Sequence, residues 1–266
     1  MQFIPLSPLD LSIAALLVVV LAFFSAGMHL GLTRQIVVAG LRTTVQLLLI
    51  GFVLKSLFAS VHIGWLMLIA LVMLLAAGRE VMARQKRRFA GWFGFGVGTL
   101  SMSISSFSIT VLALIVIINI EPWYEPQYAV PLLGMLLGNT MNGISIGLDR
   151  LTQTAWDQKT IVEARLMLGQ EWTKAIEDIR RESIRSGMIP IINSMAAAGI
   201  VSLPGMMTGQ ILAGSPPLEA VKYQILIMFL IAGGTGLGTM AAVWMGSRRL
   251  FDDRQRLRLD RVKLMG

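Results

Sequence analysis

From Phe89 to Ile120 the chain carries no charged residue. At about 1.5 Å of rise per residue, a helix of that length crosses the roughly 30 Å hydrocarbon layer of a bilayer. Inside that layer no water can satisfy a backbone N–H or C=O, so a chain holding such runs must cross as helices or as a closed barrel. The runs are continuous rather than alternating, which selects helices. Seven can be placed: about Leu9–Met28, about Ile36–Phe58, about Ile63–Gly78, one within Phe89–Ile120, about Gln127–Leu148, one within Ser186–Leu218 and about Tyr223–Gly246. With 55% hydrophobic and 14% charged residues, the chain is too apolar for a water-soluble domain of its length. The expected fold is an all-α integral membrane protein with seven transmembrane helices. It forms a single domain over residues 1–266, with no linker and no convincing repeat.

The charges sort by side. Residues 79–88, 149–187 and the tail from Arg248, together with Arg34, hold 20 of the 23 Lys and Arg residues. All of these connections fall on one side of the seven spans. Lys55 and Lys222 fall on the other side, and Arg42 lies inside the second span. Basic connections stay in the cytoplasm, which places the N-terminus outside and the C-terminus inside. The loop Glu121–Glu125 then faces out, with Trp123, Tyr124 and Tyr128 as interfacial anchors. The net charge of +8 follows this topology and does not form the clustered basic patch of a nucleic-acid binder. The start, MQFIPLSPLDL, has no basic n-region or cleavage site, so the first span is expected to be retained. The absence of cysteine excludes disulfides, thiolate metal sites and a cysteine nucleophile.

Between the fifth and sixth spans lies the most polar part of the chain, Asp149 to Gly187, with seven basic and seven acidic residues. Two amphipathic helices can be read in it. The first opens on a Thr-x-x-Glu capping box, Thr160 to Glu163, and ends at Gly169, a good left-handed C-cap. The second carries Trp172, Ala175, Ile176, Ile179 and Ser183 on one face, with charges opposite. The expected element is a short helix, a glycine break and a longer helix, held on the water side of the membrane domain.

Glu163-Ala164-Arg165, then Gly169, then Ile179 resembles the "EAA" coupling loop of ABC-transporter permeases, the cytoplasmic element that docks into a cleft on the ATPase subunit. The sequence departs from that pattern at Arg165, where Ala is common, and at Arg180-Arg181, where Leu-Pro is common. Gly199-Ile-Val-Ser-Leu-Pro-Gly-Met-Met-Thr-Gly209 and Lys222-Tyr-Gln-Ile225 are similar to the FetB-type (YbbM-like) permeases, described as the membrane half of an iron-export ABC transporter. The likeness runs from Arg42-x-x-x-Gln46 to the basic tail and is strongest over residues 130–230. It implies a permease subunit of an ABC exporter in the bacterial inner membrane, working as a two-fold homodimer with two copies of a cytoplasmic ATPase. ATP would be bound by that partner, and no cofactor is expected in this chain. It also implies that Glu163, Ala164, Arg165, Gly169, Trp172, Ile176 and Ile179 couple to the ATPase. No Gly-x-x-x-x-Gly-Lys-Ser/Thr motif occurs, so the chain itself is not the ATPase. Gly234-Thr-Gly236-Leu-Gly238 lies inside an apolar span with no preceding strand and does not replace that motif.

Few residues could handle cargo. Arg42 is the one charge within a span, and Gln46 lies one turn on, on the same face. Arg42 could hold an anionic group, order a gate or snorkel to headgroups. Asn139, Asn142 and Asn193 need partners in a bilayer and either join helices or line a path. Pro190 and Leu203-Pro204-Gly205 interrupt the sixth span. Irregular backbone at membrane depth is tolerated where it is buried or lines a cavity, so Pro204 and Gly205 mark the expected translocation path. Met206 and Met207 could touch a soft metal, although most of the 17 methionines must be packing. His29 and His62 sit at span ends on opposite sides, and no two acids share a span. Iron as the cargo therefore rests on the resemblance. The rival readings are an exporter of a nucleotide-sugar or another small anion, which Arg42 would suit, and an ion-coupled secondary transporter. The latter would normally show intramembrane acids or an inverted repeat.

Overall fold

The computed structural model describes residues 7–59 and 62–264. Among them, six stretches are helical, long and apolar enough to cross a membrane: Pro8–Gly27, Thr33–Leu54, Ile63–Ala83, Phe93–Ile118, Pro126–Asp157 and Pro217–Arg249. In chain order the α-helices begin with α1 (Pro8–Gly27), α2 (Thr33–Ala59), α3 (Ile63–Ala83), α4 (Phe93–Met102) and α5 (Ser108–Leu112). They continue with α6 (Pro126–Asp157), α7 (Lys159–Met167), α8 (Trp172–Ala175), α9 (Glu177–Ala197), α10 (Gly205–Leu212) and α11 (Pro217–Arg249). The chain forms two compact units, one of α1 and α2 and one running from α3 onward. The sides of the membrane expected for the two chain ends concern residues 1–6 and 265–266, which lie outside the described residues.

Within the first unit, α1 starts on a capping box made by Ser7 and Asp10, in which each takes up a free N–H of the other. Arg42 and Gln46 stand one turn apart on α2, both exposed.

In the second unit α6 is the central helix, packed by α3, α9 and α11. Apolar side chains of this unit point outward as well as inward: Val116 and Phe229 are each 67% exposed. Lipid is their natural solvent, so burial gives little drive for one helix to join another, and close backbone approach must supply it. A tight crossing joins α6, α9 and α11. A Cβ built on Gly187 would stand 2.5 Å from the carbonyl oxygen of Gly143 and 2.7 Å from Cγ2 of Thr239. Gly147, Gly234 and Gly238 line the same α6–α11 seam, whereas Gly138, also at the small-residue spacing, faces open space. Between α4 and α5, and after α5, the helix widens into π-turns at Ser103–Phe107 and Ala113–Ile118. The first of these buries both Ser105 and Ser106, and Ser106 Oγ donates to Thr140 Oγ1 on α6 at 3.4 Å.

The expected sixth span is not one helix. α9 begins at Glu177, well before Ser186, and runs unbroken past Pro190 to Ala197. The polar "second helix" and the inner half of the sixth span are thus one rod. The interruption falls at residues 198–204, ahead of the proline. Pro204 caps α10, a place where its missing N–H costs nothing. The loop is held by Gly199 at φ +81 and by N–H groups of Val201 and Ser202 donating to Ala197 O at 2.9 and 3.1 Å. Of the loop's own carbonyls, Ser202 O accepts the Gly199 N–H at 2.9 Å and Pro204 O that of Thr208 at 3.1 Å. Other boundaries also move. α6 continues to Asp157, beyond Leu148, because Leu151 and Ala155 keep a buried face on the helix where composition turns polar.

One small element departs from the all-α expectation. β1 (Arg87–Phe89) pairs antiparallel with β2 (Val262–Leu264). The C-terminal tail is thereby tied to the α3–α4 connection.

Candidate functional site

The three basic segments meet at one end of the second unit. Lys86 N donates to Asp149 Oδ1 at 2.8 Å, Thr152 Oγ1 donates to Arg87 O at 2.8 Å, and Arg84 Nη1 donates to Asn142 Oδ1 at 2.9 Å. Asn142 is therefore helix glue. A closed apolar core lies beneath them: Leu151, Ala155, Val162, Ala175, Ile176 and Leu250 have no exposed surface. Ile176 and Ile179 from the predicted coupling set belong to this core. In water each such side chain contributes roughly 1.5–3 kcal/mol, so this end packs like a soluble domain.

The polar segment departs from the sequence reading at its start and agrees with it at the glycine. The N-cap of α7 is Gln158, with no side-chain cap bond. The Thr160–Glu163 capping box does not form, because α7 succeeds α6 after a single residue and Thr160 is already helical. Glu163 instead faces Lys159, at 3.7 Å. Gly169 has φ +83, its N–H donates to Leu166 O at 3.0 Å, and Gln170 N donates to Arg165 O at 3.2 Å. That pair is a Schellman C-cap, which needs a left-handed residue. Arg165 then anchors the segment beyond the glycine: Nη1 donates to Ala175 O at 3.1 Å and Nη2 to Asp178 Oδ2 at 2.8 Å. It ties α7 to the start of α9, an internal role that alanine could not fill.

The outward face of this element was missed in the sequence. Ile161, Ala164 and Leu168, spaced three and four apart, stand exposed on α7 with Met167 beside them. Met167 is 86% and Leu168 83% exposed. Apolar surface gathered at the tip of an otherwise charged end marks a contact site. The signal is present in Leu166-Met-Leu168, which precedes Gly169. A groove of about 760 Å³ runs beside the tip, lined by Glu163, Met167, Gln170 and the tail residues Arg254 and Gln255.

Composition marks the tail only as basic. It folds back so that Phe251 packs on Trp172, ring centroids 5.6 Å apart, and Gln255 Oε1 accepts the N–H of Trp172 at 3.0 Å. The alternation of Leu257 and Leu259 was the available signal for extended, half-buried chain. Asp252 organises the turn, accepting N–H groups of Arg254 at 3.0 Å and Arg256 at 2.9 Å and the Arg256 guanidinium at 2.9 Å. The Arg256 backbone bond above all holds its carboxyl below the usual range. A lowered folded-state value means that the stabilisation is present above the ordinary carboxylate pKa, near 4, and is lost as pH falls through the lowered one. Hydrogen exchange should therefore find residues 250–264 protected at pH 5–8 and loosened first on acidification below about pH 4. Asp252→Asn should show the loosened pattern already at pH 7. Equal protection in the variant at pH 7 would contradict this role for the carboxylate.

A second feature lies where α9 gives way to α10. A cleft of about 510 Å³ is lined by Asn139, Asn193, Pro204, Gly205, Met206 and Gln224, among others. Four sequence-predicted path residues and the candidate metal contact Met206 thus share one cavity. Asn139 Nδ2 donates to Met135 O at 2.8 Å. Met207 lines a separate apolar pocket of about 520 Å³, also bordered by Gln224. Arg42 and Gln46 belong to the first unit. Among the described residues, no group of three or more His, Cys, Asp or Glu could hold a metal. Gln224, the only carboxamide in α11, was not singled out in the sequence.

Six membrane-length helices, with a folded polar end on the second unit, define a multi-pass integral membrane protein. The chain belongs to the uncharacterised protein family UPF0014, whose profile matches residues 8–251. It is similar to the UPF0014 membrane protein slr1647 of Synechocystis, at 41% identity over 86% of this chain and 87% of that one. It is 30% identical, over 96% of each chain, to the Escherichia coli protein named probable iron export permease FetB. It is 32% identical to the protein ALUMINUM SENSITIVE 3 of Arabidopsis thaliana, over 87% of this chain and 83% of that one. No solved structure matches.

Proposed function

We propose that this chain is the membrane-spanning permease subunit of an ABC exporter in a bacterial inner membrane. A separate cytoplasmic ATPase drives it, and iron is the cargo. The observation that carries the reading is the apolar tip of α7, Ile161, Met167 and Leu168, presented by a Gly169-capped helix and continuous through Arg165 with α9. A partner that moves the tip moves α9 as a rod, past the Gly187 crossing, to the cleft. ATP stays on the partner. The basic end is then cytoplasmic, which agrees with the positive-inside rule. One permease chain and one tip make half of a transporter, so two copies related by a two-fold axis, with two ATPases, complete it. Iron comes from the relative named probable iron export permease.

The test has two arms. A tagged chain purified in mild detergent should bring down one cytoplasmic ATPase in equal amount. Cells lacking the chain should retain more iron after iron loading, measured by mass spectrometry. Purification without an ATPase would remove the ABC reading, and unchanged cellular iron would remove the cargo.

A further inference from the structure

The cleft between α6, α9, α10 and α11 has a chemical character that its shape alone does not convey. None of its lining residues is charged. It offers carboxamides, two serines and three thioethers against an aliphatic background. Two of the carboxamide oxygens are acceptors without a protein donor to match. Asn139 has committed an amide hydrogen to Met135 O, which leaves its oxygen as the acceptor. Gln224 is more telling. It is only 8% exposed, and its Oε1 is buried without any hydrogen-bond partner. A buried carbonyl oxygen left unpaired is costly, and native structures keep few such atoms without a reason.

What completes an acceptor is a donor or a positive charge. A bare anion brings neither, and one that carries hydroxyl donors would still find no Lys or Arg in the cleft to hold its charge. A bare divalent ion held for good would need carboxylates, which are also absent there. A cation that keeps most of its water shell fits both facts. Its waters donate to the amide oxygens, and a borderline-soft ion can also touch the Met206 sulfur. Such a hold is weak, as it must be where cargo has to leave.

We propose that Gln224 is a cargo-reading residue, and that the cleft admits a hydrated divalent cation and refuses anions. The proposal rests on the reading that this chain moves a solute, but it does not depend on the ATPase. The test uses the full chain in nanodiscs of phosphatidylcholine at pH 8, titrated with Mn²⁺, with free ion read by electron paramagnetic resonance. Wild type should bind one Mn²⁺ per chain, saturably. Gln224→Leu should weaken binding at least tenfold. Gln224→Glu, which puts a carboxylate where the carbonyl was, should tighten it at least tenfold. Inorganic phosphate and glucose should not displace the ion. A purely structural glutamine would make the leucine and glutamate variants equally poor, so opposite signs separate the roles. If Gln224→Leu does not fold, Gln224→Glu decides alone. A glutamate variant no tighter than wild type, or displacement by phosphate or glucose, overturns the proposal. Absent Mn²⁺ binding with intact ATPase association defeats the cleft alone, and binding without ATPase association defeats only the coupled exporter.

Discussion

Gly187→Ala is expected to lower the midpoint of thermal unfolding in detergent by about 6–12 °C, while Gly138→Ala leaves it within about 1 °C. The added Cβ at Gly187 would meet a backbone oxygen of α6 at 2.5 Å and a methyl of α11 at 2.7 Å. Neither can rotate out of the way as the end of a long side chain would. The helices must separate, and overpacking of this kind costs roughly 1–3 kcal/mol. At about 2–4 °C per kcal/mol for a chain near this size, the upper part of that range gives the stated shift. At Gly138 the same methyl meets nothing within 4 Å. A scanning-fluorescence melt of the two variants decides it. Equal midpoints would mean that α6, α9 and α11 are not locked at this crossing. The proposed transmission from the α7 tip to the cleft would then have no fixed pivot.

The contrast between those two glycines also shows which parts of the molecule were legible. Their four-residue spacing marks Gly143, Gly147, Gly234 and Gly238 as close-packing positions, and all four meet a neighbouring helix. It could not distinguish Gly138, because a four-residue repeat names a face and not what lies opposite it. Gly187 escaped because its partner along the sequence is not a glycine. Long uncharged runs located the apolar helices, since lipid leaves the backbone no alternative. The interruption at Pro204 was also visible, because proline forbids one local conformation whatever surrounds it. Its start at Ala198 was not. Nor was the union of α9 with the polar segment, since Ile176, Ile179 and Ser183 are buried by tertiary contacts that continue across the change in composition. Gly169 was readable from its conformational preference alone. Arg165 looked like a departure from a pattern, and only its bonds to Ala175 and Asp178 reveal an internal tie. Gln224 gave no warning at all: one amide in an apolar helix acquires meaning only when its oxygen is found buried and unpaired.

Met167→Glu combined with Leu168→Glu is expected to abolish recovery of the ATPase with the tagged chain, while the protein still inserts and melts like wild type. Both side chains are more than four-fifths exposed, and surface substitutions away from special features usually change stability by less than about 0.5 kcal/mol. Gly169, whose positive φ ends the helix, is left untouched. The folded chain therefore has little to lose. The complex has much to lose, because burying an apolar side chain of this size contributes roughly 1.5–3 kcal/mol, and residues that plug a partner's pocket commonly act as hot spots. Removing two should weaken association by about 3–6 kcal/mol, roughly a hundredfold to more than a ten-thousandfold. Two carboxylates driven into an apolar pocket would add a desolvation penalty. Ile176→Ala is the instructive comparison. Its side chain is wholly buried within this chain, so it should lower the melting midpoint first and reduce ATPase recovery only in proportion to the folded protein remaining. Undiminished recovery with the double glutamate variant would show that the ATPase does not seat on α7, and the groove beside the tail turn would then be the surface to probe.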